Sequence, residues 1–123
     1  MYNKKIGNEG EEVALYYLEK KSFKIIEKNY SVKVGEIDII ASKNNVLHFI
    51  EVKTRVNDHF GAPYNAITHS KIKKISRAAR CFLLSYSHNF SAYQFDVISL
   101  VKDKSYKVHF IENAFDVSDF YSL

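Results

Sequence analysis

Two strand-like runs joined by a short polar turn constrain this chain more than any other feature. Val34-Gly35-Glu36-Ile37-Asp38-Ile39-Ile40-Ala41 leads through Ser42-Lys43-Asn44-Asn45 into Val46-Leu47-His48-Phe49-Ile50-Glu51-Val52-Lys53. Both runs are rich in β-branched and aromatic residues, and Asn-Asn supplies the left-handed conformations of a tight hairpin turn. With Asn44-Asn45 as a two-residue loop, Lys43 faces Val46, Asp38 faces Glu51 and Glu36 faces Lys53, all on one face by the period of two. Opposed side chains sit about 5 Å apart, where two carboxylates repel by about 3 kcal/mol at an effective dielectric near 20. Ile37, Ile39, Phe49, Ile50 and Val52 keep water away and sharpen the repulsion. A divalent cation between Asp38 and Glu51 reverses its sign, which makes a metal the expectation. Two other resolutions stay open: the acids share a proton, or each pairs with a lysine, Asp38 with Lys53 for example. A three-residue loop or a bulge would shift the register by one and separate the acids onto opposite faces.

The composition fits one domain spanning residues 1–123. A chain of 123 residues buries about two thirds of the surface its unfolded form exposes. Its 46% apolar and 26% charged residues exclude a disordered chain. Four glycines and one proline leave no flexible linker, and no segment repeats. No apolar run approaches the roughly 20 residues of a membrane helix. The N-terminus has no apolar core of the kind a signal peptide carries. Cys81 is the one cysteine, so an intramolecular disulfide and a cysteine-rich zinc site are both excluded. A reducing, cytoplasmic setting is the corresponding expectation. The net charge of +4 and pI near 9.1 permit an anionic partner without requiring one.

Periodicity supplies the remaining elements. A first helix is expected from Asn8 to about Lys21, with Val13, Tyr16 and Tyr17 at helical spacing and Ala14 and Leu18 beside them. Asn8 would cap it and Glu11 would close a capping box, an arrangement of about 1 kcal/mol. Phe23–Tyr30 reads as a strand, and the hairpin gives two more. The polar stretch from Val56 to Pro63 is too long for a tight turn and is a candidate functional loop. A second helix is expected from about Thr68 to Tyr86, then strands at Tyr93–Val101 and Lys107–Ile111 around a turn at Asp103-Lys104-Ser105. The order αβββαββ predicts an α/β fold with a mixed sheet, because a long helix separates strands that no hairpin can join.

The second helix has two faces. Ile72, Ile75, Ala79, Phe82, Leu83 and Tyr86 fall on one side; Lys73, Arg77 and Arg80 fall on the other, with Lys74 nearby. No Asp or Glu occurs between His59 and Gln94. Solvated helices ordinarily mix signs, so a stripe of one sign fits a polyanion as well as plain solvation. His48 alternates with Ile50 and Val52 away from Glu51, as a packed strand histidine rather than a ligand. His59 and His69 flank the loop and the second helix. Cys81 lies between the basic and apolar faces and reads as structural.

Asp, a gap of about a dozen residues, then Glu-x-Lys is the core of the PD-(D/E)XK nuclease superfamily. The surrounding residues resemble more closely the YraN family of small bacterial proteins, which look like Holliday-junction resolvases. The matching pieces are Gly7-x-x-Gly10-Glu11-x-x-Ala14, Asn29-Tyr30, Gly35-Glu36-Ile37-Asp38-Ile39-Ile40 and Phe49-Ile50-Glu51-Val52-Lys53-Thr54-Arg55. Phe60-Gly61-x-Pro63, Lys71, Phe95-Asp96-Val97 and Asn113-Ala114-Phe115 follow in order. Gln94 departs from the family, which more often has a basic residue there. The resemblance implies a restriction-endonuclease-like core, a mixed sheet of about five strands flanked by helices. It implies an endonuclease that uses Mg²⁺ or Mn²⁺, with DNA as partner and a homodimer as one possible assembly. Asp38 and Glu51 match the metal-binding acids, Lys53 the catalytic lysine, and Glu11 the helix acid that completes the site in related resolvases. The backbone carbonyl of Val52 is a further candidate metal ligand. Arg55, Lys71, Lys73, Arg77 and Arg80 are candidates for contacting nucleic acid, Lys71 the nearest to the site. A non-catalytic binding module and a structural or interaction protein are the competing readings.

Overall fold

The computed structural model describes residues 4–56 and 67–116, with side chains from Asn8 onward. In chain order its elements are α1 (Lys4–Lys20), β1 (Lys24–Val32), β2 (Gly35–Lys43), β3 (Val46–Arg55), α2 (His69–Ser85), β4 (Ala92–Lys102) and β5 (Tyr106–Ile111). The five strands form one mixed sheet in sequential order. Neighbours pair antiparallel except β3 and β4, which run parallel because α2 carries the chain back across the sheet. The fold is therefore α/β, in the order read from the sequence.

Each helix covers one face. Ala14 and Leu18 of α1 pack against Ile39, Ile50, Ile98 and Leu100. On the other face Ile75, Ala78, Ala79 and Phe82 of α2 pack against Ile40, Leu47, Phe49 and Phe95. Strand β3, covered on both sides, is buried almost without a break from Leu47 to Glu51, as expected of a strand between two helical layers. The basic stripe of α2 is exposed at Lys73, Lys74, Arg77 and Arg80.

The hairpin register is the one the sequence dictates. Asn44 and Asn45 both have positive φ, 53° and 63°, the signature of a type I′ turn. Lys43 faces Val46, and the ladder runs through Ile40 and Phe49 to Ile39 and Ile50. There it stops. Beyond Asp38, β2 pairs only with β1, placing Ile37 opposite Tyr30 and Glu36 opposite Ser31. Beyond Ile50, β3 stays with β4 as far as Arg55 opposite Val101. The strands fork, and the expected pairing of Glu36 with Lys53 is not part of the ladder.

The first helix corrects another expectation. It begins at Lys4 rather than at Asn8, so Asn8 and Glu11 lie within it and form no capping box. A Cβ on Gly10 would lie 2.2 Å from Thr54 Oγ1, so Gly10 permits a close approach of α1 to β3. That packing offsets the propensity cost of about 1 kcal/mol for an interior glycine. Thr68 does cap α2, its side-chain oxygen accepting from the Lys71 N–H at 3.1 Å. The expected loop residues His59, Phe60, Gly61 and Pro63 lie outside the described residues.

A second glycine sets the position of α2. A Cβ on Gly35 would lie 2.1 Å from the Lys74 carbonyl oxygen, a backbone atom that cannot rotate away. Gly35→Ala is expected to cost about 1–3 kcal/mol by forcing α2 off the fork, read by denaturant unfolding. A stability within error of wild type would show that α2 is free to shift.

Candidate functional site

The fork between β2 and β3 gathers the acids. Past Ile50 the Val52 N–H has no β2 carbonyl opposite it, and a buried N–H requires an acceptor. Asp38 supplies one: its Oδ2 accepts the Val52 N–H at 2.7 Å. The Asp38 carboxylate is thereby fixed at the apex, and Glu51, 5% exposed, is buried beside it. Glu11 reaches the same region from α1 and feels the charges of Asp38 and Glu36. From α2, the Lys71 ammonium lies 3.2 Å from Glu51 Oε2.

The electrostatics follow from this crowding. Burial, then the charge of Asp38 and its hydrogen bond, push the Glu51 carboxyl up to about 8 against the opposing pull of Lys71. Burial and the charges of Asp38 and Glu36 also raise Glu11. Burial would depress Lys71, but Glu51, Asp38 and Glu36 outweigh it and raise it instead. The two partners pull against each other, since a neutral Glu51 no longer supports the rise of Lys71. The upward displacement of Glu51 is the firmer of the two, because Glu51 is enclosed while the Lys71 side chain is 38% exposed. The pair therefore retains a proton near neutral pH with a lysine laid against it, both positive species in a position of high negative potential.

The other residues singled out in the sequence divide clearly. Val52 is held through its N–H to Asp38. Lys53 is half-buried on β3 and forms no ion pair among the described residues; the cation on the acids is Lys71. Arg55 is half-buried at the end of β3. Lys73, Arg77 and Arg80 lie on the exposed face of α2, apart from the acids. No three His, Cys, Asp or Glu side chains among the described residues are gathered tightly enough to hold a metal ion by themselves. Asp38 and Glu51 nevertheless fit a hard cation: they are two oxygen ligands in contact, one of which holds a proton a cation would displace. Mg²⁺ is a cation that binds through one or two carboxylates and keeps several waters.

Sequence reasoning missed a second polar cluster. His48 is buried as expected of a packed strand residue, yet its Nδ1 lies 2.5 Å from Oδ2 of Asp96, which has no exposed surface. Asp96 Oδ1 accepts from Gln94 Nε2 at 2.9 Å and from the Asn113 N–H at 3.0 Å. The signal was a positional one. His48 and Gln94 are opposite each other on parallel strands, but that pairing depends on a β3–β4 register that local pattern does not fix.

These features define a class: a small α/β protein whose central hairpin forks around an acid pair, one member buried and one half-buried, with a helical acid and a helical lysine facing it. The chain belongs to the family described as Uncharacterised protein family UPF0102, whose model matches residues 10–100. This is the YraN family indicated by the sequence motifs. The chain is 42% identical over 114 residues to a UPF0102 protein of Syntrophomonas wolfei, spanning 92% of this chain and 99% of that one. It is 41% identical over 118 residues to one of Dictyoglomus thermophilum, spanning 94% and 100%. No helix among the described residues is long and apolar enough to cross a membrane.

The Glu51 displacement has a stability consequence. An unfolded glutamate titrates near 4.5 and the folded one near 8. The folded state binds the extra proton in that interval, so stability falls as pH rises through it. Glu51→Gln removes the titration while keeping a neutral polar side chain. It should unfold like wild type near pH 5 and be more stable by about 4 kcal/mol near pH 9, at about 1.4 kcal/mol per pH unit across the interval. An equal or lower stability of Glu51→Gln at high pH would contradict the raised value.

Proposed function

We propose that this protein is a metal-dependent endonuclease that hydrolyses phosphodiester bonds of nucleic acid, with DNA, including branched and junction forms, as the substrate. The supporting observation is the forked hairpin, where the half-buried Asp38 accepts from the Val52 N–H beside the buried Glu51, whose carboxyl is pushed up to about 8 by burial and by the charge of Asp38. Burying two acids together is unfavourable unless a positive species sits between them. A nuclease uses that arrangement to hold Mg²⁺ or Mn²⁺.

Asp38, Glu51 and the Val52 carbonyl would hold the ion, with water and substrate oxygens completing its shell. When bound, it neutralises the phosphate and lowers the pKa of its water. The remaining roles fall to the chain's own groups. Asp38 is oriented by the Val52 N–H and stays in place when Glu51 changes protonation. Lys71 lies against Glu51 in the resting protein; displaced from the acids, its ammonium is positioned to meet a phosphate oxygen. Lys53 follows Glu51 by two positions on β3, from where its ammonium can offset developing negative charge or orient the attacking water. Glu11, with its raised proton affinity, is suited to exchange a proton with that water or to add a ligand.

One observation favours a second reading. The Lys71–Glu51 ion pair partly satisfies the acid pair without any metal, which is what a non-catalytic nucleic-acid-binding module or a structural protein would need. Cleavage decides between them. Junction, flap, single-stranded and duplex DNAs incubated with Mg²⁺ or Mn²⁺ should be cut in at least one form, and Asp38→Asn and Glu51→Gln should abolish cutting. Lys53→Ala should retain the fold and lose about 10²–10³ in single-turnover rate. An uncut panel together with a melting temperature that collapses in Lys53→Ala would leave only the structural reading.

Affinity for nucleic acid should be electrostatic, since Lys53 to Arg80 carries an excess of Lys and Arg. For duplex DNA the slope of log K against log salt is about −0.9 per neutralised phosphate. Replacing Lys73, Arg77 and Arg80 together by Ala flattens that slope if the exposed face of α2 carries flanking backbone. An unchanged slope would confine the contacts to the fork.

A further inference from the structure

At the opposite end of the hairpin, on the α1 side of the sheet, a cleft of about 440 Å³ lies beside the Asn44 turn. Its volume falls within the range of about 300–1,000 Å³ typical of small-ligand sites. We propose that this cleft is a second binding site and that its ligand is a nucleotide, a nucleobase carrying a phosphate. His48 and Glu51 are three positions apart on β3, about 10 Å along the strand, and on opposite faces, so the cleft is separate from the fork.

Three features select that chemistry. The walls are aromatic: Phe23 and Tyr17 both meet Phe110 edge-to-face, at 5.7 and 6.0 Å between centroids. Phe23 is buried behind this wall, while the half-buried Tyr17 and Phe110 leave aromatic surface on which a planar base can stack, and stacking tolerates any base. The mouth is cationic. Lys43 holds its ammonium 5.2 Å from the Phe23 centroid, and Lys21 lies 5.6 Å from that of Tyr17. Glu112, the acid lining the cleft, already accepts from Gln94 at 3.2 Å. Two ammonium groups beside one engaged carboxylate favour an anion over a cation or a neutral ligand.

The third feature is His48, which also lines the cleft. Asp96 holds its Nδ1, and Asp96 is itself held by Gln94 and by the Asn113 N–H. Asn113 has a φ of 52°, a left-handed conformation that Asn tolerates and that brings its N–H to the carboxylate. The chain thus commits a wholly buried aspartate and a turn to fixing one imidazole, leaving Nε2 as the ring nitrogen for a ligand. A buried imidazole needs a partner in any role; here Asp96 takes Nδ1, Phe23 packs on the ring edge-to-face at 4.9 Å, and Nε2 is the ring nitrogen that Asp96 does not engage. Base stacking on the aromatic wall, phosphate at Lys21 and Lys43, and a polar contact at His48 together use the aromatic, cationic and imidazole groups of the cleft.

The test uses the full chain without divalent cation and reads no cleavage, so it stands or falls independently of the nuclease reading. Adenosine 5′-monophosphate, adenosine and ribose 5-phosphate are titrated separately while the backbone amides of Lys43–His48 and the His48 ring nitrogens are followed by NMR. The nucleotide should bind at least about tenfold more tightly than either fragment, and the double variant Lys21→Ala/Lys43→Ala should weaken it by about tenfold or more with an unchanged melting temperature. A 5′-phosphorylated oligonucleotide that binds more tightly than the free nucleotide assigns the site to a strand end; equal or weaker binding assigns it to free nucleotide, and either supports the site. Ribose 5-phosphate binding as well as the nucleotide, insensitivity to the double variant, or no shift at millimolar nucleotide would overturn it.

Discussion

One hydrogen bond organises the site: the Val52 N–H donated to the Asp38 carboxylate. Where β2 and β3 part, the backbone loses a ladder partner, and leaving that N–H unpaired in a partly buried place would cost about 1–3 kcal/mol. Asp38 takes the bond with a charged acceptor. Its side chain can then lie nowhere but at the apex, beside Glu51. Strand β2 continues with β1 and β3 with β4, and the opening between them is bordered by the two helices. Gly10 lets α1 approach at Thr54, and Gly35 lets the first turns of α2 lie over the β1–β2 turn. Glu11 and Lys71 reach the acids because those two glycines carry no side chain.

The acid pair then has to be neutralised, and three species can do so: a proton on Glu51, the ammonium of Lys71, or a divalent cation. The Lys71 ammonium lies against Glu51, and the raised proton affinity of Glu51 favours the proton. A cation of higher charge competes with both at once, which couples its binding to pH and to the position of α2. The His48–Asp96 pair at the far end of the hairpin is a contrast. There the aspartate is fully enclosed yet satisfied by three donors, so it needs no further positive partner. Two buried acids on adjacent central strands thus have opposite requirements, set by their hydrogen bonds rather than by their depth.

Local chemistry made much of this legible. The Asn-Asn turn fixed the register because both residues accept positive φ, and the period of two then placed Asp38 against Glu51. The two faces of α2 followed from helical spacing. What escaped was tertiary. The fork at Asp38 came from competition between neighbouring strands for β2 and β3, which no local pattern encodes. The first helix runs back to Lys4, so the cap-like spacing of Asn8 and Glu11 falls inside it and serves no capping role. Lys71 was close enough in sequence logic to be placed near the site, but its pairing with Glu51 instead of Lys53 depends on where α2 sits. The motif Asn113-Ala114-Phe115 was readable as letters; its reason, a left-handed Asn113 serving Asp96 and a Phe115 ring 5.4 Å from Phe95, needed the β4–β5 arrangement.

The central claim is that Asp38 and Glu51 form one cation site in which the ion replaces the proton of Glu51. Calorimetric titration with Mn²⁺ at pH 7, repeated in buffers of different ionisation enthalpy, measures binding and proton release together. The account predicts a single ion bound with release of about one proton, and loss of that binding in both Asp38→Asn and Glu51→Gln. Binding that survives in either variant, or that releases no proton, would contradict it.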